Sequence, residues 1–125
     1  MTMVYPAIFH KEDGSYWVEF PDLMGCYTYG TTIQETMEAA QESLGAYLLT
    51  LLERGEKLAV PSDISLLQPE DGFASLVSCQ IDLYKDTKAV KKTLTIPSWL
   101  NDRAMSMGVN FSLALQEALI SKIQL

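Results

Sequence analysis

Histidine and cysteine are scarce in this chain: among 125 residues there are one histidine, His10, and two cysteines, Cys26 and Cys79. There is no Cys-x-x-Cys pair, and His10 lies far from both cysteines in sequence, so no zinc set is expected. The two thiols are expected to be reduced and buried. A Gly-rich phosphate loop and a clustered ligand set are missing too, and no cofactor is expected. The N-terminus lacks the basic segment and small-residue cleavage site of a signal peptide, and the most apolar run, Leu44 to Leu52, is short and interrupted by Thr50. A soluble cytoplasmic protein is the expectation.

Positive charge is also scarce over most of the length. Residues 1 to 84 carry 3 Lys/Arg against 13 Asp/Glu, a net of −10, whereas residues 85 to 125 carry 6 against 3, a net of +3; together these give the −7 of the whole chain. The acidic part would be repelled by a nucleic acid and the basic part attracted to one, which points to two partners of opposite charge. A polar stretch around Lys85 to Lys91 falls at the same place. The expected organisation is therefore a main module over 1–84, a linker over 85–90 and an appendage over 91–125. An appendage of about forty residues is too small to fold without a staple or a partner.

Within the acidic module, Val4 to His10 and Tyr16 to Phe20 are rich in β-branched and aromatic residues. Glu12-Asp13-Gly14 between them is a hairpin signal. Pro21-Asp22 and Gly25 break the chain before a third strand, Cys26 to Tyr29, closed by Gly30. Thr32-x-x-Glu35 then reads as a capping box. Ile33, Met37, Ala40, Leu44, Tyr47, Leu48, Leu51 and Leu52 follow at spacings of three and four, predicting one face of a long helix ending near Arg54-Gly55. Glu35, Glu38 and Glu42 occupy its far side. Leu58 to Gln68 reads as an irregular connection. A last strand, Phe73 to Leu83, alternates Val77, Cys79, Ile81 and Leu83 with Ser78, Gln80 and Asp82, the mark of a sheet with one wet face. The fold class is α+β, one helix covering a mostly antiparallel sheet.

The run Phe20-Pro21-Asp22-Leu23-Met24-Gly25-Cys26, through Gly30-Thr31-Thr32-x-x-Glu35 and on to Leu51-Leu52-Glu53-Arg54-Gly55-Glu56 and Pro61-Ser62, resembles the N-terminal domain of HicB antitoxins. The resemblance covers about half the chain. It implies a truncated RNase H-like fold and a partner, a HicA-like toxin that is small, basic and cleaves mRNA with a histidine. Tyr16, Trp17, Glu19, Asp22, Met24, Tyr27 and Tyr29 are the candidate toxin contacts, since aromatic residues dominate interface hot spots.

In the appendage, Lys91-Lys92-Thr93-Leu94-Thr95-Ile96 alternates as a short strand stopped by Pro97, whose fixed φ suits a first helical turn. A helix over about Ser98 to Met107 is expected to end at Gly108. Asn110 is placed to cap a second helix striped by Phe111, Leu115, Ala118, Leu119, Lys122 and Ile123. A lone strand and two short helices leave hydrogen bonds and apolar faces unpaired, so a second copy is needed. This order resembles the ribbon-helix-helix DNA-binding fold. The resemblance implies a homodimer, two of which side by side would form a dimer of dimers on operator double-stranded DNA, with Lys91, Thr93 and Thr95 facing base edges. It also implies a phosphate near Asn110 and Ser112 at the helix start. Lys92 departs from the pattern, standing where an apolar residue would be more comfortable; the ribbon frays there or the side chain reaches a phosphate.

Plainer readings stand beside these. Lys91, Thr93 and Thr95 also suit a solvated edge strand, and Asn110 is a cap in any case. Glu19, Asp22 and Glu38 are the only acids that a two-metal nuclease could recruit, and their spacing demands no convergence. His10 reads as a strand residue or surface contact, because no nucleophile is placed to use it. The expected function is that of a non-enzymatic antitoxin and autorepressor; the alternative is a ribbon-helix-helix regulator with a ligand-sensing N-terminal domain.

Overall fold

The computed structural model describes residues 1–82 and 88–123. By compactness the chain divides into Met1–Lys88 and Ala89–Leu125. The expected linker residues 85–87, and Leu83 at the end of the expected last strand, lie outside the described residues.

In the first unit, β1 (Thr2–Glu12), β2 (Ser15–Glu19), β3 (Tyr27–Gly30) and β4 (Phe73–Gln80) form one antiparallel sheet in the order β3-β2-β1-β4. The hairpin expected at Glu12-Asp13-Gly14 is present. Glu12 pairs with Ser15, and the two turn residues have φ of 51° and 79°, the mirror-image turn whose twist matches that of the strands. The β1–β4 register runs from Thr2 opposite Gln80 to Phe9 opposite Phe73, so the last strand of the unit lies beside the first.

Helix α1 (Ile33–Glu53) crosses one face of this sheet. Its cap is half of the expected reciprocal box: Glu35 N–H donates to Thr32 Oγ1 at 3.1 Å, but the Glu35 carboxylate accepts from the Thr31 hydroxyl at 2.6 Å instead of reaching back to the Thr32 amide. At the other end Gly55 N–H reaches Leu52 O and Glu56 N–H reaches Leu51 O, which closes the C-terminus with the paired bonds of a Schellman motif.

The buried line of the helix is Thr36, Ala40, Leu44 and Leu48, an unbroken i, i+4 series. Ile33, expected on that face, is exposed, and Thr36 takes the inner position in the first turn. Its hydroxyl donates to Thr32 O at 2.7 Å, so no polar group is stranded by its burial. Gly30 makes this approach possible: a Cβ there would sit 2.8 Å from Thr36 N. Below the helix, Tyr5, Ala7, Phe9, Val18, Phe20, Leu23, Cys26, Val77, Cys79 and Ile81 fill the core. Val77, Cys79 and Ile81 lie inside and Ser78 and Gln80 outside, the alternation read from the sequence. The irregular connection carries a single 3-10 turn, Ile64–Leu66, which Asp63 caps by accepting from Ser65 N–H at 2.9 Å.

The second unit contains two helices, α2 (Ser98–Ser106) and α3 (Phe111–Ile123). Pro97 stands at the N-cap, one residue before the position its φ suited; its carbonyl accepts from Leu100 and Asn101 N–H. Gly108, at φ 71°, ends α2 as expected, with Gly108 N–H to Met105 O and Val109 N–H to Ala104 O. Asn110 Oδ1 accepts from Leu113 N–H at 3.1 Å, the side-chain cap read from the sequence. Of the stripe expected on α3, only Leu115 is half-buried. No residue in the described part of this unit is buried. The segment Lys91–Ile96 carries no strand pairing in the single chain, where a lone strand has nothing to bond with; the ladder expected from the sequence is one between two copies.

Candidate partner-binding site

With α1 on one side, strand register decides which residues stand on the opposite side of the sheet. Tyr29 on β3 lies opposite Trp17 on β2, and Trp17 opposite His10 on β1. In the next row Tyr27, Glu19, Ile8 and Ala74 stand side by side across all four strands. Leu76, 53% exposed, continues the apolar surface, while Pro6 opposite it in the register is buried. Tyr27 and Tyr29 are 68% and 77% exposed. The His10 ring stacks on Trp17, with centroids 4.0 Å apart and planes within 14°.

Carboxylates flank the rings. His10 Nδ1 donates to Asp71 Oδ1 at 3.0 Å, while Nε2 lies 3.6 Å from Glu19 Oε1, beyond hydrogen-bond range, and is buried without a partner. The arrangement suits cation recognition. Aromatic faces attract guanidinium groups, and adjacent carboxylates accept their hydrogen bonds.

Four of the seven expected toxin contacts therefore share this face: Trp17, Glu19, Tyr27 and Tyr29. The other three do not. Tyr16 has the parity of buried Val18 and pairs with Gly30, so it stands on the helix side, with Lys11 Nζ 5.8 Å from its ring centre. Met24 sits in the β2–β3 connection, its side chain 92% exposed and its carbonyl accepting from Tyr47 OH at 2.8 Å. Asp22 pins that connection to a distant one: Oδ2 accepts from Ser62 N–H at 2.9 Å and Oδ1 from the Ser62 hydroxyl. This explains why Asp22 and Pro61-Ser62 occur together in the sequence pattern. The carboxylate is a structural clasp. Asp22→Ala is expected to lower stability by about 1 kcal/mol, the value of a typical net hydrogen bond at an exposed site, as read by urea denaturation. An unchanged midpoint would show that the clasp contributes nothing.

Sequence reasoning missed Ile8, Leu76 and Asp71 as parts of this surface. Ile8 was legible from period-two alternation with His10. Leu76 and Asp71 depend on β4 lying beside β1, which no local pattern announces.

Burial pushes the Cys26 thiol pKa up to about 11 and raises that of Cys79 as well. The Tyr5 hydroxyl, raised first by burial and then by Asp22 and Cys79, donates to Ala59 O at 2.6 Å and holds the connection after α1. Among the described residues no group of three or more His, Cys, Asp or Glu is placed to hold a metal ion, so Glu19, Asp22 and Glu38 do not assemble the two-metal site weighed from the sequence. Among the described residues no helix is long and apolar enough to cross a membrane.

The tail residues singled out from the sequence, Lys91, Lys92, Thr93, Thr95, Asn110 and Ser112, are all exposed. Leu94 and Ile96, between them, are 58% and 44% exposed.

An α+β module whose sheet carries a row of aromatic residues on the side away from its helix is joined to a helical unit in which no described residue is buried, a two-part organisation. The family described as HicB-like antitoxin of bacterial toxin-antitoxin system matches residues 5–111, and the chain belongs to it. A toxin-antitoxin complex from Streptococcus pneumoniae contains a similar chain, 34% identical with a TM-score of 0.63, over 98% of this chain and 99% of that one. The Burkholderia pseudomallei antitoxin HicB is 27% identical with a TM-score of 0.67, over 94% and 96%. A chain of a HicA3–HicB3 toxin-antitoxin complex matches at 26% identity and a TM-score of 0.50, over 64% of this chain and all but 1% of that one.

Proposed function

We propose that this chain neutralises a HicA-like mRNA-cleaving toxin through its N-terminal unit, a truncated RNase H-like fold. In the same proposal its C-terminal unit, a ribbon-helix-helix, dimerises and represses its own operon. The observation that carries the second half is the tail itself: within the described residues of Ala89–Leu125 nothing is buried, and Leu94, Ile96, Trp99, Leu100, Phe111, Leu119 and Ile123 all lie open to solvent. An apolar surface of that kind on two short helices calls for a second copy. Pairing two Lys91–Ile96 segments antiparallel would complete their backbone hydrogen bonds. Leu94 and Ile96 would then turn inward, and Lys91, Thr93 and Thr95 outward to base edges in the major groove. Lys92 would reach a phosphate, and the amides near Asn110 and Ser112, at the start of α3, would hold another. Two such dimers side by side would cover two half-sites.

For the toxin, support comes from family membership, from the solved complexes among the structural neighbours, and from the acidic charge of the N-terminal unit. Complementary charge speeds such encounters and selects against wrong partners.

Thr93→Ala/Thr95→Ala tests the division of labour. Each lost base contact is expected to cost about 1–3 kcal/mol of operator discrimination, measured by competition between operator and scrambled DNA, while toxin neutralisation stays at the wild-type level. Equal loss of both activities would refute two separable jobs.

A further inference from the structure

The face of the sheet away from α1 has an identifiable occupant, on the reading that the N-terminal unit binds a toxin. We propose that the toxin seats on the face formed by Trp17, Tyr27, Tyr29, Ile8 and Leu76, and that Glu19 and Asp71 receive its cationic side chains. Three possible occupants differ in charge, and the face discriminates among them. A nucleic acid would place phosphates against Glu19 and Asp71 on a unit that carries 13 acidic and 3 basic residues in its first 84. A second copy meeting face to face about a two-fold axis would bring the same carboxylates against themselves, a like-charge juxtaposition that opposes pairing. A basic protein surface meets neither obstacle, and its arginines find both stacking faces and acceptors here.

Geometry sharpens the assignment. Tyr29, Trp17 and His10 form a row across three adjacent strands, and neighbouring strands are about 4.8 Å apart, so the row spans roughly 10 Å. The His10–Trp17 stack and the Nδ1 bond to Asp71 hold the centre of the row rigid, whereas Tyr27 and Tyr29 stand out at its edge strand. The Glu19 side chain is 43% exposed with its carboxylate just beyond hydrogen-bond range of His10, so it retains acceptor capacity toward an incoming donor. Rigid aromatic anchors beside a partly desolvated carboxylate are the composition of an interface hot spot. A groove of about 540 Å³ between α1 and the edge of β4 is lined by Gln41, Glu42, Gly45, Ala46, Leu49 and Ser78 among others, and has no aromatic residue.

The test uses the full chain and a short basic HicA-like toxin, in a form whose histidine is replaced so that it can be purified. Affinity is measured by calorimetry at two salt concentrations. Tyr29→Ala is expected to weaken binding about 30-fold, the loss that marks a hot-spot residue. Glu19→Gln is expected to weaken it about 5-fold or more at low salt, with a shallower salt dependence. Groove substitutions Glu42→Gln and Leu49→Ala serve as controls and are expected to bind as wild type. Both face residues are exposed enough to be replaced without loss of fold, which circular dichroism checks. Wild-type affinity in the face variants, or a loss confined to the groove variants, would overturn this placement and leave the antitoxin reading standing. A change in oligomeric state on Tyr29→Ala would also overturn it, in favour of a second copy as the occupant. No binding by the wild-type chain would overturn both readings together.

Discussion

Leu94→Ser/Ile96→Ser is expected to convert the protein to a monomer and abolish operator binding while leaving toxin binding unchanged. In the single chain these side chains are largely exposed; in the proposed dimer they would be the inner face of the paired segments. Burying a side chain of this size is worth roughly 1.5–3 kcal/mol, so the four copies in a dimer contribute roughly 6–12 kcal/mol. Loss of even the lower figure weakens dimerisation by about four orders of magnitude. Sedimentation at micromolar concentration reads the oligomer, and band shift reads the DNA. Replacing side chains already open to water should not touch the N-terminal unit, whose core is built from other residues. A variant that stayed dimeric would show that these residues do not form the dimer core, and a wild-type monomer would remove the basis for the DNA reading altogether.

Phe9→Ala acts on the other unit and with comparable size. Phe9 is fully buried, stacked on Phe73 with centroids 5.2 Å apart and planes within 4°, and the two are direct cross-strand partners in the β1–β4 register. Removing a buried Phe ring costs about 3–5 kcal/mol through lost transfer energy and the cavity left behind. At roughly 0.05–0.15 kcal/mol per residue, the unit spanning Met1–Lys88 has a total stability of roughly 4–13 kcal/mol. The variant is therefore expected to lose roughly a quarter to all of that stability, read by thermal denaturation, with toxin binding, read by calorimetry, falling with the folded fraction. Gly72 constrains the same place: it has φ 73°, and a Cβ would run into the Phe9 carbonyl. A drop below about 1 kcal/mol would mean that the ring pair does not hold β4 against β1.

Much of the fold was legible because its signals are local. Asp13-Gly14 makes a tight mirror-image turn, Thr32 caps α1, Gly108 ends α2 and Asn110 caps α3; each depends on a few neighbouring residues whose hydrogen bonds close within one turn. The inward row Val77, Cys79 and Ile81 was legible for the same reason, since strand alternation needs no partner to be seen. The failures were also specific. Ile33 fitted the apolar spacing of α1, yet Thr36 took the inner position, because Gly30 lets the backbone of β3 approach the first turn closely there. Tyr16 and Trp17 looked alike as interface aromatics, and only the register against β1 and β3 sends one to the helix side and the other to the open face. Asp22 read as a candidate contact because its clasp on Ser62 joins segments forty residues apart.

The amino-acid order alone determined the acidic and basic halves, the helix limits and caps, and the period-two and period-four stripes, because charge, capping and periodicity are properties of near neighbours along the chain. Tertiary structure decided what those stripes meet. Placing β4 beside β1 and α1 across one side of the sheet brought Tyr27, Tyr29, Trp17, Glu19 and Asp71 onto one open surface and drew Asp22 away from it. Such juxtapositions depend on long-range pairing, whose free energy comes from burying a shared core and leaves no mark on any short stretch of sequence.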